Sequence, residues 1–228
     1  MDRLYYFKMA KRINDENHDL FLKKNEEVHL RGNLKSMSLI SINRDKPELG
    51  FSAITKEETV FQKLEKLKLK DIPQRSTPEK SLQSYIIKHA LLSNYVLPFG
   101  KNIKFVTSEI AINKDNKRIV NDILGFDQDN QLCIIELKSD RHMTRLKEQV
   151  DSFECIVNDK EHIDFFYNLL GLYGHEWDKK SIQKIIVWPS AKGNGKKFKD
   201  SQNNTIIEFE YDKDKLDREY VLEIYEVN

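Results

Sequence analysis

Asp122, Glu136 and Lys138 are the residues whose types and spacing could do chemistry. Asp122 interrupts the apolar run Ile119-Val120-Asn121-Asp122-Ile123-Leu124, and the acid-x-Lys triplet Glu136-Leu137-Lys138 ends the run that starts Cys133-Ile134-Ile135. Between them, Asp127-Gln128-Asp129-Asn130 is a polar cluster with turn chemistry. A reversal centred near Gln128-Asp129 makes residues 118–138 a β-hairpin and sets Asp122 roughly opposite Ile135 and Glu136. Facing positions of this kind lie about 5 Å apart when they share a face. Alternation along a strand sends Glu136 and Lys138 to one side and Leu137 to the other. Two carboxylates held together repel unless a cation lies between them, and an oxygen-lined pocket suits Mg²⁺ or Mn²⁺, which can hold a phosphate oxygen and a water. The Lys138 ammonium can orient that water or stabilise charge building up on the phosphate.

The elements that must position these groups follow from the pattern around them. Both runs are apolar on both faces, which predicts central strands covered on two sides. Charged groups at the ends of such strands are costly unless paired or bound to metal. The alternative is a surface-strand pair, Asp122 and Glu136, balanced by Lys138 and Arg118. Upstream, Thr77-Pro78-Glu79-Lys80-Ser81-Leu82 reads as an N-cap, a proline at the first helical position and the start of an amphipathic helix. Glu79 there has an ordinary role open to it, since a carboxylate interacts well with a helix N-terminus. Downstream, Leu146, Val150, Phe153 and Val157 repeat at helical spacing, which assigns Phe153 to the core.

With Asp122 followed by Glu136-Leu137-Lys138, the chain resembles the PD-(D/E)XK nuclease superfamily, whose signature is an acid, a hairpin, and acid-x-Lys on the returning strand. The resemblance covers about residues 77–157, in the order helix, strand, hairpin, helix. It implies a restriction-endonuclease-like fold, with Asp122 and Glu136 as metal ligands and Lys138 as catalytic base or charge stabiliser. Glu79 matches the family's helix glutamate, which adds a metal or water contact. Gln149-Val150-Asp151-Ser152-Phe153 resembles the Gln-x-x-x-Tyr motif of the RecB-like and NucS-type branches, with Phe153 in place of the tyrosine, so Gln149 is a further site candidate. The implied activity is Mg²⁺- or Mn²⁺-dependent hydrolysis of phosphodiester bonds, with DNA preferred to RNA as substrate. The competing reading is a catalytically silent nucleic-acid-binding module that retains the nuclease fold.

Phosphate contacts need no special motif, only cations in reach. Arg141, His142, Arg145 and Lys147 follow the hairpin, and Lys196 and Lys197 lie in the basic glycine-bearing loop Lys192–Lys199; all are candidates for the nucleic-acid backbone, and a solvated face or loop is the alternative for each. The loop lacks the spacing of a P-loop. A net charge of +1 decides nothing here, because attraction depends on how charge is distributed.

Composition sets the remaining bounds. Charged residues at 33% against 39% hydrophobic describe a globular chain, and 228 residues can bury a substantial core. No apolar run approaches a membrane span and no signal peptide opens the chain, so a cytoplasmic protein is expected. Cys133 and Cys155 form neither a disulfide framework nor a zinc pattern, and free thiols are expected. The break Lys70–Pro78 suggests a small β-rich N-terminal module, 1–72, ahead of the nuclease-like domain, 73–228. In the module, Leu4 to Met9, Glu27 to Arg31, Ser36 to Ile42 and Leu49 to Ile54 read as strands and Glu57 to Lys68 as a helix. After the hairpin, Thr144 to Val157 and His162 to Leu172 read as helices and Ser181 to Trp188 as a strand. Thr205 to Tyr211 and Tyr220 to Val227 read as antiparallel edge strands. The expected class is α/β, a mixed central sheet flanked by helices. Cutting both strands of a duplex with one site per chain usually calls for two copies, so a homodimer is one assembly open to the chain.

Overall fold

The computed structural model describes Leu4, Lys8 and residues 39–42, 47–49, 78–99, 102–114, 117–138, 143–189, 204–211 and 220–226. In chain order the elements are β1 (Leu39–Ile42), β2 (Pro47–Leu49), α1 (Pro78–Leu92), β3 (Lys104–Lys114), β4 (Lys117–Phe126), β5 (Leu132–Leu137), α2 (Met143–Val157), α3 (Ile163–Leu172), β6 (Ile182–Pro189), β7 (Asn204–Tyr211) and β8 (Tyr220–Glu226). The strands form one mixed sheet in the order β2-β1-β3-β4-β5-β6-β7-β8. β3, β4 and β5 run antiparallel in sequence, β5, β6 and β7 are parallel neighbours, and β8 closes antiparallel on β7. The chain is therefore α/β, with a mixed sheet and helices, as its patterning predicts.

The hairpin turns where the polar cluster predicts. Asp127 Oδ1 accepts the backbone N–H of Asp129 at 3.0 Å and of Gln131 at 2.8 Å, and Asn130 takes the left-handed φ of 60° that closes the reversal. An Asx turn of this kind suits Asp and Asn because their short side chains bond the local backbone. The resulting register pairs Ile123 with Ile135, Leu124 with Ile134 and Phe126 with Leu132.

Burial on both faces follows from the apolar runs. All six residues of β5 are buried, and alternation divides them between two cores. Leu132 and Ile134 join Leu124, Phe126, Ile186 and the helical residues Leu146, Val150, Phe153, Phe166 and Leu169 on the α2–α3 side. Cys133, Ile135 and Leu137 join Ile123, Ile185, Val187 and the α1 residues Leu82, Ile86 and Ala90 on the other. Phe153 is a core residue, 1% exposed and edge-on to Phe166 at 5.8 Å between centroids. Gly125 sits where β4 crowds the chain after α1: an added Cβ would lie 2.8 Å from Ile103 Cγ2 and 3.1 Å from the Lys104 carbonyl oxygen.

Some expectations are corrected. Of the expected strand Leu4 to Met9, the two described residues are not extended: Leu4 stands in a turn and Lys8 is helical, its N–H donating to the Leu4 carbonyl at 2.9 Å. β7 lies between β6 and β8, so only β8 of that pair is an edge. β1 and β2 continue the same sheet through parallel pairing of β1 with β3. The expected strand Glu27 to Arg31, the helix Glu57 to Lys68, most of Leu49 to Ile54 and the break before Pro78 lie outside the described residues. Among the described residues, no helix is long and apolar enough to cross a membrane. Cys133 is buried and Cys155 exposed, and neither forms a disulfide.

Candidate active site

The site forms where two strands of one sheet part. β4–β5 pairing ends at Ile123↔Ile135, although β4 continues to pair with β3 as far as Lys117 and β5 with β6 as far as Leu137. Extending the register sets Asp122 opposite Glu136. Side chains bridge the gap there instead of a backbone ladder: Asp122 Oδ2 accepts the Leu137 N–H at 2.9 Å, and Asn121 Nδ2 donates to the Ile135 carbonyl at 3.1 Å. From the α1 side, Gln83 Nε2 donates to the Asp122 carbonyl at 2.8 Å.

Asp122 is 7% exposed and Glu136 3%, which excludes the surface-strand reading. Arg118, the proposed surface counter-ion, is exposed. Lys138 follows β5, its N–H donating to the Val187 carbonyl at 2.8 Å, and its ammonium lies 3.1 Å from Glu136 Oε1 and 3.9 Å from Glu79 Oε2. Lys138 thus lies between a carboxylate of the hairpin and one at the start of α1. Pro78 opens that helix, and Glu79 follows it in the first turn.

The electrostatics follow from burial and crowding. Burial, then the charge of Asp122, pushes the Glu136 carboxyl well above the usual carboxylate range, and the Lys138 ammonium only partly opposes this. For Lys138, burial alone favours the neutral amine, but attraction from Glu136, Asp122 and Glu79 prevails and raises its pKa above the ordinary lysine value. Asp122, Glu136, Lys138 and Glu79 therefore act on one another as a group.

Gln149 is half-buried on α2, and its side chain makes no hydrogen bond to these four groups. Lys147 is half-buried on the same helix, and Arg145 lies in its first turn. Arg141, His142, Lys196 and Lys197 lie outside the described residues. Two residues escaped the sequence reading. Gln83 is 1% exposed and Asn121 is buried completely. Both were legible in principle: Gln83 falls one turn after Glu79 on the same helix face, and Asn121 is an amide inside a run apolar on both sides.

Each hairpin carboxylate has one oxygen beyond the hydrogen bonds just described, Asp122 Oδ1 and Glu136 Oε2. Both are hard oxygen donors of the kind Mg²⁺ and Mn²⁺ take. Among the described residues, no three His, Cys, Asp or Glu side chains group closely enough to hold a metal ion by themselves. No protein-family model matches the chain, and no curated protein matches it in sequence.

Proposed function

We propose that this chain is a divalent-metal-dependent nuclease that hydrolyses DNA phosphodiester bonds, with a restriction-endonuclease-like arrangement of sheet and helices. The observation that carries this reading is the meeting of Asp122, Glu136, Lys138 and Glu79 where β4 and β5 part. Buried, mutually repelling carboxylates detract from stability, and such groups concentrate at functional sites. When all are ionised, three carboxylates against one ammonium leave two negative charges, which one divalent cation neutralises. Mg²⁺ needs no all-protein cage, because one or two carboxylates with a substrate phosphate complete its shell.

Asp122 and Glu136 would hold the cation, and Glu79, 3.9 Å from the Lys138 ammonium, would reach it through a water. When bound, the cation supplies Lewis-acid charge stabilisation and a nucleophile at neutral pH. The Leu137 N–H fixes one oxygen of Asp122 and so orients its carboxylate. Glu136, whose pKa is raised by burial and then by the charge of Asp122, is the carboxyl that would have to be deprotonated to act as a ligand. The Lys138 ammonium, beside Glu136 and Glu79, can orient a water or stabilise charge on the transferring group. Arg141, Arg145, Lys196 and Lys197 are the proposed contacts to the DNA backbone, and a second copy would supply the second cut of a duplex.

The test is cleavage of supercoiled, linear, single-stranded and branched DNA with Mg²⁺ or Mn²⁺, comparing wild type with Glu136→Ala. Activity in wild type that disappears with EDTA and in the variant is the expected result. DNA binding without cleavage in both proteins would overturn the enzyme reading in favour of a non-catalytic binding module.

A further inference from the structure

We propose that Gln83 and Asn121 are positioning residues that hold the β4–β5 mouth open and index α1 to it, an inference that rests on the metal-site reading above. Both amides are buried. Asn121 alternates with Ile123 toward the α1 side of the sheet, and Gln83 lies between the core residues Leu82 and Ile86 on α1. Each uses its amide nitrogen on a backbone carbonyl at the mouth, Gln83 on Asp122 and Asn121 on Ile135. Each leaves its amide oxygen, Gln83 Oε1 and Asn121 Oδ1, buried without a hydrogen-bond partner among the described residues. An unsatisfied buried acceptor opposes folding, so stability alone does not account for amides at these two positions.

The geometry gives them a task. Glu79 and Gln83 are one helical turn apart and share a face of α1. The bond from Gln83 to the Asp122 carbonyl therefore fixes where Glu79 stands relative to the residue whose carboxylate it must meet. Asn121 acts across the gap: its side chain spans from β4 to the Ile135 carbonyl, beside the Asp122 bond to Leu137. The two strands are thus tied by side chains rather than by a backbone ladder where Asp122 and Glu136 face each other. Neither residue is assigned contact with substrate or cation.

The test measures Mn²⁺ affinity of the full-length protein by electron paramagnetic resonance of free Mn²⁺, with melting temperature recorded alongside. Wild type, Gln83→Met, Gln83→Glu, Asn121→Leu and Asp122→Ala are compared well below their melting temperatures. Gln83→Met removes the donor at nearly constant volume, and Gln83→Glu replaces it with an acceptor that faces the same carbonyl. The expected result is Mn²⁺ affinity about 10–100-fold weaker in the folded Gln83 and Asn121 variants, as for residues that orient metal ligands. Wild-type affinity in these variants, whatever their melting temperature, would assign the amides to packing and overturn the proposal while leaving the metal site intact. Loss of folding in both Gln83 variants would overturn it too, by assigning Gln83 to stability. Wild type that binds no Mn²⁺ more tightly than Asp122→Ala would overturn the metal-site reading and the positioning role with it.

Discussion

Glu136→Gln should make the metal-free protein more stable as pH rises, while removing its activity. The Glu136 carboxyl is 3% exposed, and burial followed by the charge of Asp122 raises its pKa well above 4.5. The folded chain therefore holds this proton more tightly than the unfolded chain does. Below about pH 4.5 both states are protonated and the contribution to stability is complete. As pH rises, the unfolded chain ionises first, and stability is lost until the folded carboxyl ionises as well. With one proton of difference, the slope approaches about 1.4 kcal/mol per pH unit between the two pKa values. A slope of that size is readable against the roughly 5–15 kcal/mol that holds a native domain together. The substituted amide would keep the side-chain shape and an acceptor for the Lys138 ammonium but cannot titrate. Urea unfolding of both proteins in EDTA at about pH 5, 6 and 7 reads the difference directly. The variant should gain on wild type as pH rises from about 5 and show no cleavage. A constant difference across the range would refute the claim that this carboxyl is held out of water against its charge.

Other perturbations test separate parts of the argument. Mn²⁺ should raise the melting temperature of wild type and leave that of Asp122→Ala unchanged, as expected when a ligand binds only the folded state. His175 stacks on Phe126 at 4.3 Å between centroids, and burial, then Lys104, lowers its pKa from 6.5. The unfolded chain therefore takes up this proton first, and wild type should lose stability as pH falls below 6.5; His175→Phe should remove that part of the acid sensitivity in urea titrations. Lys184 ties β6 to α2 through Asp151 and Glu154, each at 3.0 Å. Because those carboxylates are partly exposed and screened, Lys184→Met should cost only about 1–2 kcal/mol in the same assay. Gly125→Ala should cost about 1–3 kcal/mol, because the new methyl meets Ile103 and the Lys104 backbone.

The sequence alone determined the local part of this protein. Two apolar runs and the cluster Asp127–Asn130 specify the hairpin and its register, because side-chain alternation and turn chemistry act over a few residues. The sequence sets Asp122 roughly opposite Ile135 and Glu136 and sends Lys138 to the side of Glu136, and the pairing of Ile123 with Ile135 decides for Glu136. Pro78 and the pattern after it likewise specify α1 and put Glu79 in its first turn. The edge position of β7 was misread because alternation shows which face is wet, not which strands lie on either side. Only the tertiary structure decided that β4 and β5 part beyond Ile123 and that Gln83, thirty-nine residues from Asp122 in sequence, holds its carbonyl. It also decided that Glu79 comes within reach of Lys138. Those contacts depend on how α1 packs across the sheet, and packing is settled by the shape of the whole apolar core, which no short stretch of chain contains.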